Sequence, residues 1–167
     1  METKQLAENR LEAAVMNFDM QTGFFINALE GITDSDAHNR LGTKANHVAW
    51  LAGSLVQQRF ELANILNNNE EMKQQADDLF RDNQGLKEDV TYPPLEQYKS
   101  DWEEISPIMQ RLLRNADAQT LERIIEFPDM SFPVFDMIAF STYREANHIG
   151  QIALWRRLLG YGPMKYM

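Results

Sequence analysis

Apolar residues along this chain recur at steps of three, four and seven, the repeat of a helix that buries one face. In a first segment, from about Lys4 to Leu29, Leu11, Ala14, Val15, Phe18, Phe25 and Ala28 share a face, and Glu8, Asn9, Arg10 and Glu12 occupy the other. Gly31 follows the last periodic residue, where a helix commonly stops. A second segment, from about Lys44 to Asn67, repeats the spacing with Val48, Leu51, Ala52, Leu55, Leu62, Ile65 and Leu66. Trp50, Phe60 and Ala63 add a second stripe, so this helix is expected to be buried on more than one side. Asp34 and Ser35 are candidate caps for a short extra turn ahead of it.

Residues 67–91 are polar and predict at most a short helix around Glu71–Phe80. A third segment opens after Pro93-Pro94, with Leu95, Tyr98, Trp102, Ile105, Met109 and Leu112 as its seam. Pro107 inside it predicts a kink near Ser106. A fourth opens near Ser131–Pro133, read as a cap followed by proline in the first turn, and stops at Gly160-Tyr161-Gly162-Pro163. No segment alternates over a strand's length. The pattern predicts an all-α fold: one domain over residues 1–167, a four-helix bundle with a long crossover connection between helices 2 and 3.

The inward stripe of the last helix, Val134, Ile138, Ser141, Glu145, His148, Ile152, Trp155 and Leu159, is apolar at its ends and polar in the middle. Arg144 and Gln151 flank that middle. Polar groups facing a core cost several kcal/mol unless hydrogen-bonded. Two readings follow. One is a polar interior pocket formed by Ser54, Ser141, Arg144, Glu145, His148 and Gln151, with Trp50 and Trp155 as walls. The other is a self-satisfied network, with Arg144 paired to Glu145 or to a carboxylate on another helix. Gly150, mid-helix, costs about 1 kcal/mol relative to alanine and leaves room for a close approach.

Composition narrows the classes. The 167 residues carry 25 acidic and 16 basic side chains, a formal charge of −9, and 44% are hydrophobic. That is too apolar for general disorder and too acidic for nucleic acid or anionic membrane as partners. The basic residues Arg144, Arg156, Arg157 and Lys165 near the end are too few for a nucleic-acid footprint. With no cysteine, thiolate and disulfide chemistry are excluded, which suits a cytoplasmic protein. METKQLAENR lacks a signal-type apolar region, and the longest apolar stretch, Val48–Val56, is far short of a membrane span. Phosphate-loop, HExxH and nucleophile-elbow motifs are absent. His38 lies in a polar loop and is expected to be exposed; His47 is expected at a cavity mouth or a helix start.

The run Arg144-Glu145-Ala146-Asn147-His148-Ile149-Gly150-Gln151-Ile152, with Arg156-Arg157-Leu158-Leu159-Gly160 after it, resembles the last helix of the DinB/YfiT-like superfamily. There the pattern is His-Glu-x-x-His-x-Gly-Gln followed by Arg-Leu-Leu-Gly. Ala49-Trp50-Leu51-Ala52-Gly53-Ser54-Leu55 is similar to that family's Trp-x-x-Gly-His-Leu stretch, and Tyr92-Pro93-Pro94-Leu95 also fits. The resemblance covers most of the chain. It implies a four-helix bundle with a long crossover, usually a homodimer. Many members bind a divalent metal through three histidines, one on the second helix and two on the last, and some are thiol-dependent transferases or hydrolases. The matching positions here are Ser54, Arg144 and His148, so only the last keeps its histidine. Arginine cannot deprotonate to ligate a metal, and a like charge about 4 Å away costs about 4 kcal/mol near a surface. The expectation is therefore a member without metal or other cofactor and without catalysis, in which Arg144 suits a small anionic ligand such as a carboxylate or phosphate. The alternative is a divalent-metal (zinc or nickel) hydrolase or thiol transferase like some members; a shifted metal site would use His47 and His148 with carboxylate help. A purely structural interaction protein is the third reading.

Overall fold

The computed structural model describes residues 2–68 and 71–166, with side chains from Leu11 onward. The fold is mostly helical. In chain order it contains α1 (Glu2–Leu29), α2 (Asp34–Ala37), α3 (Val48–Asn67), α4 (Asp77–Phe80), a 3-10 turn at Arg81–Asn83, α5 (Leu95–Asn115), α6 (Ala118–Glu122), β1 (Ile124–Phe127), β2 (Met130–Pro133) and α7 (Val134–Leu158). Among the described residues no helix is long and apolar enough to cross a membrane.

The four long helices bury their apolar stripes against one another. α3 packs on α5 and α7, and α1 packs on the same two. Side-chain bonds fix their directions. Gln21 on α1 donates to the Thr142 carbonyl on α7, and farther along both helices Arg156 donates to the Ala28 carbonyl, so α1 and α7 run parallel. Gly53 faces Tyr98 and Arg59 faces Ser106, so α3 and α5 are parallel too. Arg144 reaches Gln58 while Trp155 reaches the Asn46 carbonyl, which sets α7 antiparallel to α3. α3 is buried nearly all round its length, as its double stripe predicts.

Specific bonds hold down the chain between α3 and α5. Asn64 brackets the backbone of Met72. The buried Asp101 carboxylate accepts from the backbone and side chain of Gln75 at 3.0 and 2.8 Å. Gln74 donates to the Gly53 carbonyl and to Gln57.

Several local expectations change. The second long helix starts at Val48 rather than near Lys44, because the His47 ring caps it by accepting from the Trp50 amide at 3.0 Å. Thr33, not Asp34 or Ser35, caps α2. Asp34, at the start of α2, instead accepts from the Leu95 amide at 2.8 Å and so caps α5 from a distant part of the chain. The helix expected over 71–80 shrinks to α4 and the turn after it. Pro107 lies inside α5, where the sequence places it. A small hairpin that no alternation in the sequence predicts precedes the last helix: β1 and β2 pair antiparallel from Ile124↔Pro133 to Phe127↔Met130 around Pro128-Asp129. Ser131 and Pro133 thus belong to a strand, and α7 begins after them. Gly150 is exposed and meets no neighbour within 4 Å, so nothing in this chain makes a close approach there.

Gly53 is different. A Cβ there would meet Phe80 Cζ at 2.2 Å and Tyr98 Cε1 at 2.7 Å, both on buried rings. Overpacking of this kind costs about 1–3 kcal/mol. Gly53→Ala is expected to lower the urea midpoint accordingly, whereas Gly150→Ala should raise stability by about 0.5–1 kcal/mol through helix propensity alone. Equal responses at the two sites would contradict this packing.

Candidate functional site

Successive side chains on a helix point about 100° apart, so neighbours in sequence serve different surfaces. Arg144 and Glu145 on α7 divide in this way. Glu145 turns into the core, where Arg59 of α3 grips it through Nε and Nη2 at 2.7 and 2.9 Å. The two side chains are 0% and 1% exposed. Arg59 also donates to Thr22 Oγ1, Ser106 Oγ and the Phe18 carbonyl, and its guanidinium stacks 3.5 Å from the Trp102 ring centroid. All five of its N–H groups are used. Burial pushes the Glu145 carboxyl up from its ordinary range, and the Arg59 charge and hydrogen bonds pull it back. Glu145 is therefore a core residue, paired with Arg59 rather than with Arg144, and not part of a pocket.

Arg144 points the other way, into a cleft of about 180 Å³ lined by Trp50, Ser54, Gln57, Glu61, Phe80, Asn83, Gln84 and Arg144. Trp50, Ser54, Gln57 and Glu61 lie at steps of three and four on α3 and so form one wall. The opposite rim comes from α4 and the turn behind it, where Asp82 and Asn83 both hold left-handed backbone, φ 60° and 54°. Asp and Asn tolerate that conformation better than most residues.

The half-buried guanidinium of Arg144 donates through Nη2 to Ser54 Oγ at 2.7 Å and through Nη1 to Gln58 Oε1 at 2.9 Å. It has no carboxylate hydrogen-bonded to it among the described residues. Burial lowers its pKa while the charges of Glu61 and Glu145 oppose that, and arginine stays cationic throughout. Desolvation at the wall raises the Glu61 carboxyl, and the Gln57 hydrogen bond and Arg144 charge lower it. Gln57 bridges Glu61 and Asp77 at 3.0 and 2.9 Å.

Beside the cleft the His148 ring lies over Trp50, centroids 6.3 Å apart and planes 27° from parallel. Its Nδ1 and the Trp50 Nε1 are buried without partners. Burial first, then the Arg144 charge, depresses the His148 imidazole to about 4. Of the other expected pocket residues, Ser141 is buried in the helix interface, where its carbonyl accepts from Gln58, and Gln151 is exposed and bonds Asn147. Neither lines the cleft. His38 is half-buried rather than exposed, with its ring nitrogens against the Asp34 and Tyr92 carbonyls. His47, its ring 5.3 Å from that of His38, is depressed to about 4 by burial and then by His38 and Arg40.

Three of the expected residues, Trp50, Ser54 and Arg144, thus converge on the cleft, and His148 stands against its tryptophan. Gln57, Glu61, Phe80, Asn83 and Gln84 complete it. Among the described residues no group of three or more His, Cys, Asp or Glu side chains is placed to hold a metal ion. No protein-family model matches the chain, and no curated protein matches it.

Two measurements check this geometry. Glu145→Leu alone leaves a buried cation uncompensated and is expected to cost about 3–5 kcal/mol in urea unfolding, while adding Arg59→Met should restore most of the loss. The pH response follows from the histidines. Folded His47 and His148 take up protons only near 4, whereas the unfolded chain does so near 6.5. The unfolded state therefore binds more protons between those values, so their contribution makes stability fall as pH drops from about 6.5 to 4 and level off below. Imidazole NMR signals should titrate near pH 4, and His148→Gln should make the stability profile shallower. A His148 midpoint near 6.5 would refute the buried, cation-flanked ring.

Proposed function

We propose that the chain is a non-catalytic, ligand-binding protein of the DinB/YfiT-like type, a four-helix bundle with a long crossover. In this reading the position that holds metal in relatives has become a small-anion site centred on Arg144. The paired parallel helices and the long return between α3 and α5 support the bundle reading. One observation supports the site reading above all: the Arg144 guanidinium lies on Ser54 Oγ at 2.7 Å, joining two of the three matching positions by a hydrogen bond. Those residues do not fit a divalent ion. The hydroxyl accepts from a fixed cation, and His148 alone remains as a nitrogen donor beside that charge.

Arg144 uses two of its five N–H groups on Ser54 and Gln58. The remaining donors suit a carboxylate or phosphate oxygen, and the partial burial strengthens such a bond relative to open water. A homodimer belongs to the same reading. Its support is the outward stripe Phe140, Tyr143, Leu154 and Leu158 of α7, exposed and uncharged in a chain of net charge −9.

Thermal melting with acetate, inorganic phosphate and small amino acids tests the site. A compound present at ten times its Kd stabilises by about 1.4 kcal/mol, a rise of about 3–6 °C for a chain of this size. Arg144→Ala should abolish the rise while leaving the fold intact. One tightly held zinc or nickel ion per chain, lost in His148→Ala, would instead favour a metalloenzyme.

A further inference from the structure

Arg144 does not hold the cleft alone. Glu61 lines the same space, exposed to solvent, and feels the Arg144 charge, yet no ion pair joins the two among the described residues. Asp77 and Asp82 stand behind Glu61 and repel it, and Gln57 ties Glu61 to Asp77. The cleft therefore carries a cation toward α7 and a net negative wall toward α4. A ligand with only negative charge meets repulsion from that wall, and one with only positive charge meets Arg144. We infer that the ligand of this cleft is a small zwitterion of amino-acid size, with its carboxylate on the Arg144 guanidinium and its ammonium on the Glu61 carboxylate. This rests on the reading of the cleft as an Arg144-centred site and narrows the class of compound it takes.

Size and lining agree. A volume of 180 Å³ has room for about six water-sized groups, the scale of a small free amino acid. Trp50 and Phe80, ring centroids 6.3 Å apart, give apolar walls for a short carbon stem between the two charges. A tryptophan face also favours a nearby ammonium. Asn83 and Gln84 line the rim, the Gln84 amide donating to the Asp78 and Arg81 carbonyls, and Asp82 and Asn83 hold left-handed backbone there. Such backbone is retained where surrounding structure over-determines it, often at ligand clamps.

The test is calorimetric titration of the full chain with glycine, β-alanine, γ-aminobutyrate, propionate and propylammonium. These vary the separation of the charges and then remove each in turn. At least one zwitterion should bind about tenfold or more tightly than propionate. Glu61→Gln should erase that advantage and improve propionate, and Arg144→Ala should abolish binding of both. Both side chains reach solvent, and urea midpoints check that the variants keep the fold. If propionate binds as well as every zwitterion in an Arg144-dependent way, or if Glu61→Gln leaves their ratio unchanged, the zwitterion assignment fails and the anion site stands. If none of the five binds through Arg144, both fall.

Discussion

A single guanidinium ties the four long helices together. Arg59 leaves α3, lies across Trp102 of α5, and donates to Ser106 of α5, to Thr22 and the Phe18 carbonyl of α1, and to Glu145 of α7. A charge in a dry interior is tolerable only when every donor has an acceptor and a counter-charge lies alongside. Arg59 meets both conditions by recruiting one helix after another. Apolar packing would permit α3 to slide or turn against its neighbours at modest cost. Five directed bonds from one planar group do not, and they fix the register of the interior. Lysine could not substitute, having three donors and no plane to lay on the indole.

That register decides what the surface cleft contains. Once Glu145 is committed to the core, Arg144 is carried to the adjoining face and meets α3 at Ser54 and Gln58. The same rotation of α3 that buries Arg59 presents Trp50, Ser54, Gln57 and Glu61 on the opposite side. Core and cleft are two sides of one alignment, and neither can shift without the other.

The long helices were legible because their apolar repeats are strong. Leu95, Tyr98, Trp102, Ile105 and Met109, spaced three and four apart, are all buried as the seam requires. Gln57, Gln58, Arg59 and Glu61 carry no apolar signal of their own, although Phe60, Leu62 and Ala63 around them are buried. A signal existed: an acid on the inward stripe of the last helix needs a base facing it, and Arg59 is the basic residue within the most apolar helix. The cleft's far rim was less accessible, because 71–84 has no periodicity and is held by individual bonds such as Asp101 to Gln75. The hairpin leaves little trace for a similar reason. Ile124 and Phe127 are exposed, so burial leaves no two-residue alternation to detect, and the turn at Pro128-Asp129 is its main trace.

Parallel α3 and α5 have an electrostatic consequence at one end of the molecule. Both helices begin there, so two positive dipole ends lie side by side, an arrangement that on its own is repulsive. The chain answers with a carboxylate and an uncharged ring. Asp34 caps α5, His47 caps α3 through an unprotonated nitrogen, and the Tyr92 ring rests 5.1 Å from that imidazole between the two starts. A protonated His47 would put a third positive centre among the other two and lose the lone pair that accepts the Trp50 amide. The short loop around α2 is thus the piece that lets two like poles share a corner, and its acidity belongs to the architecture of the helices rather than to the solvent it faces.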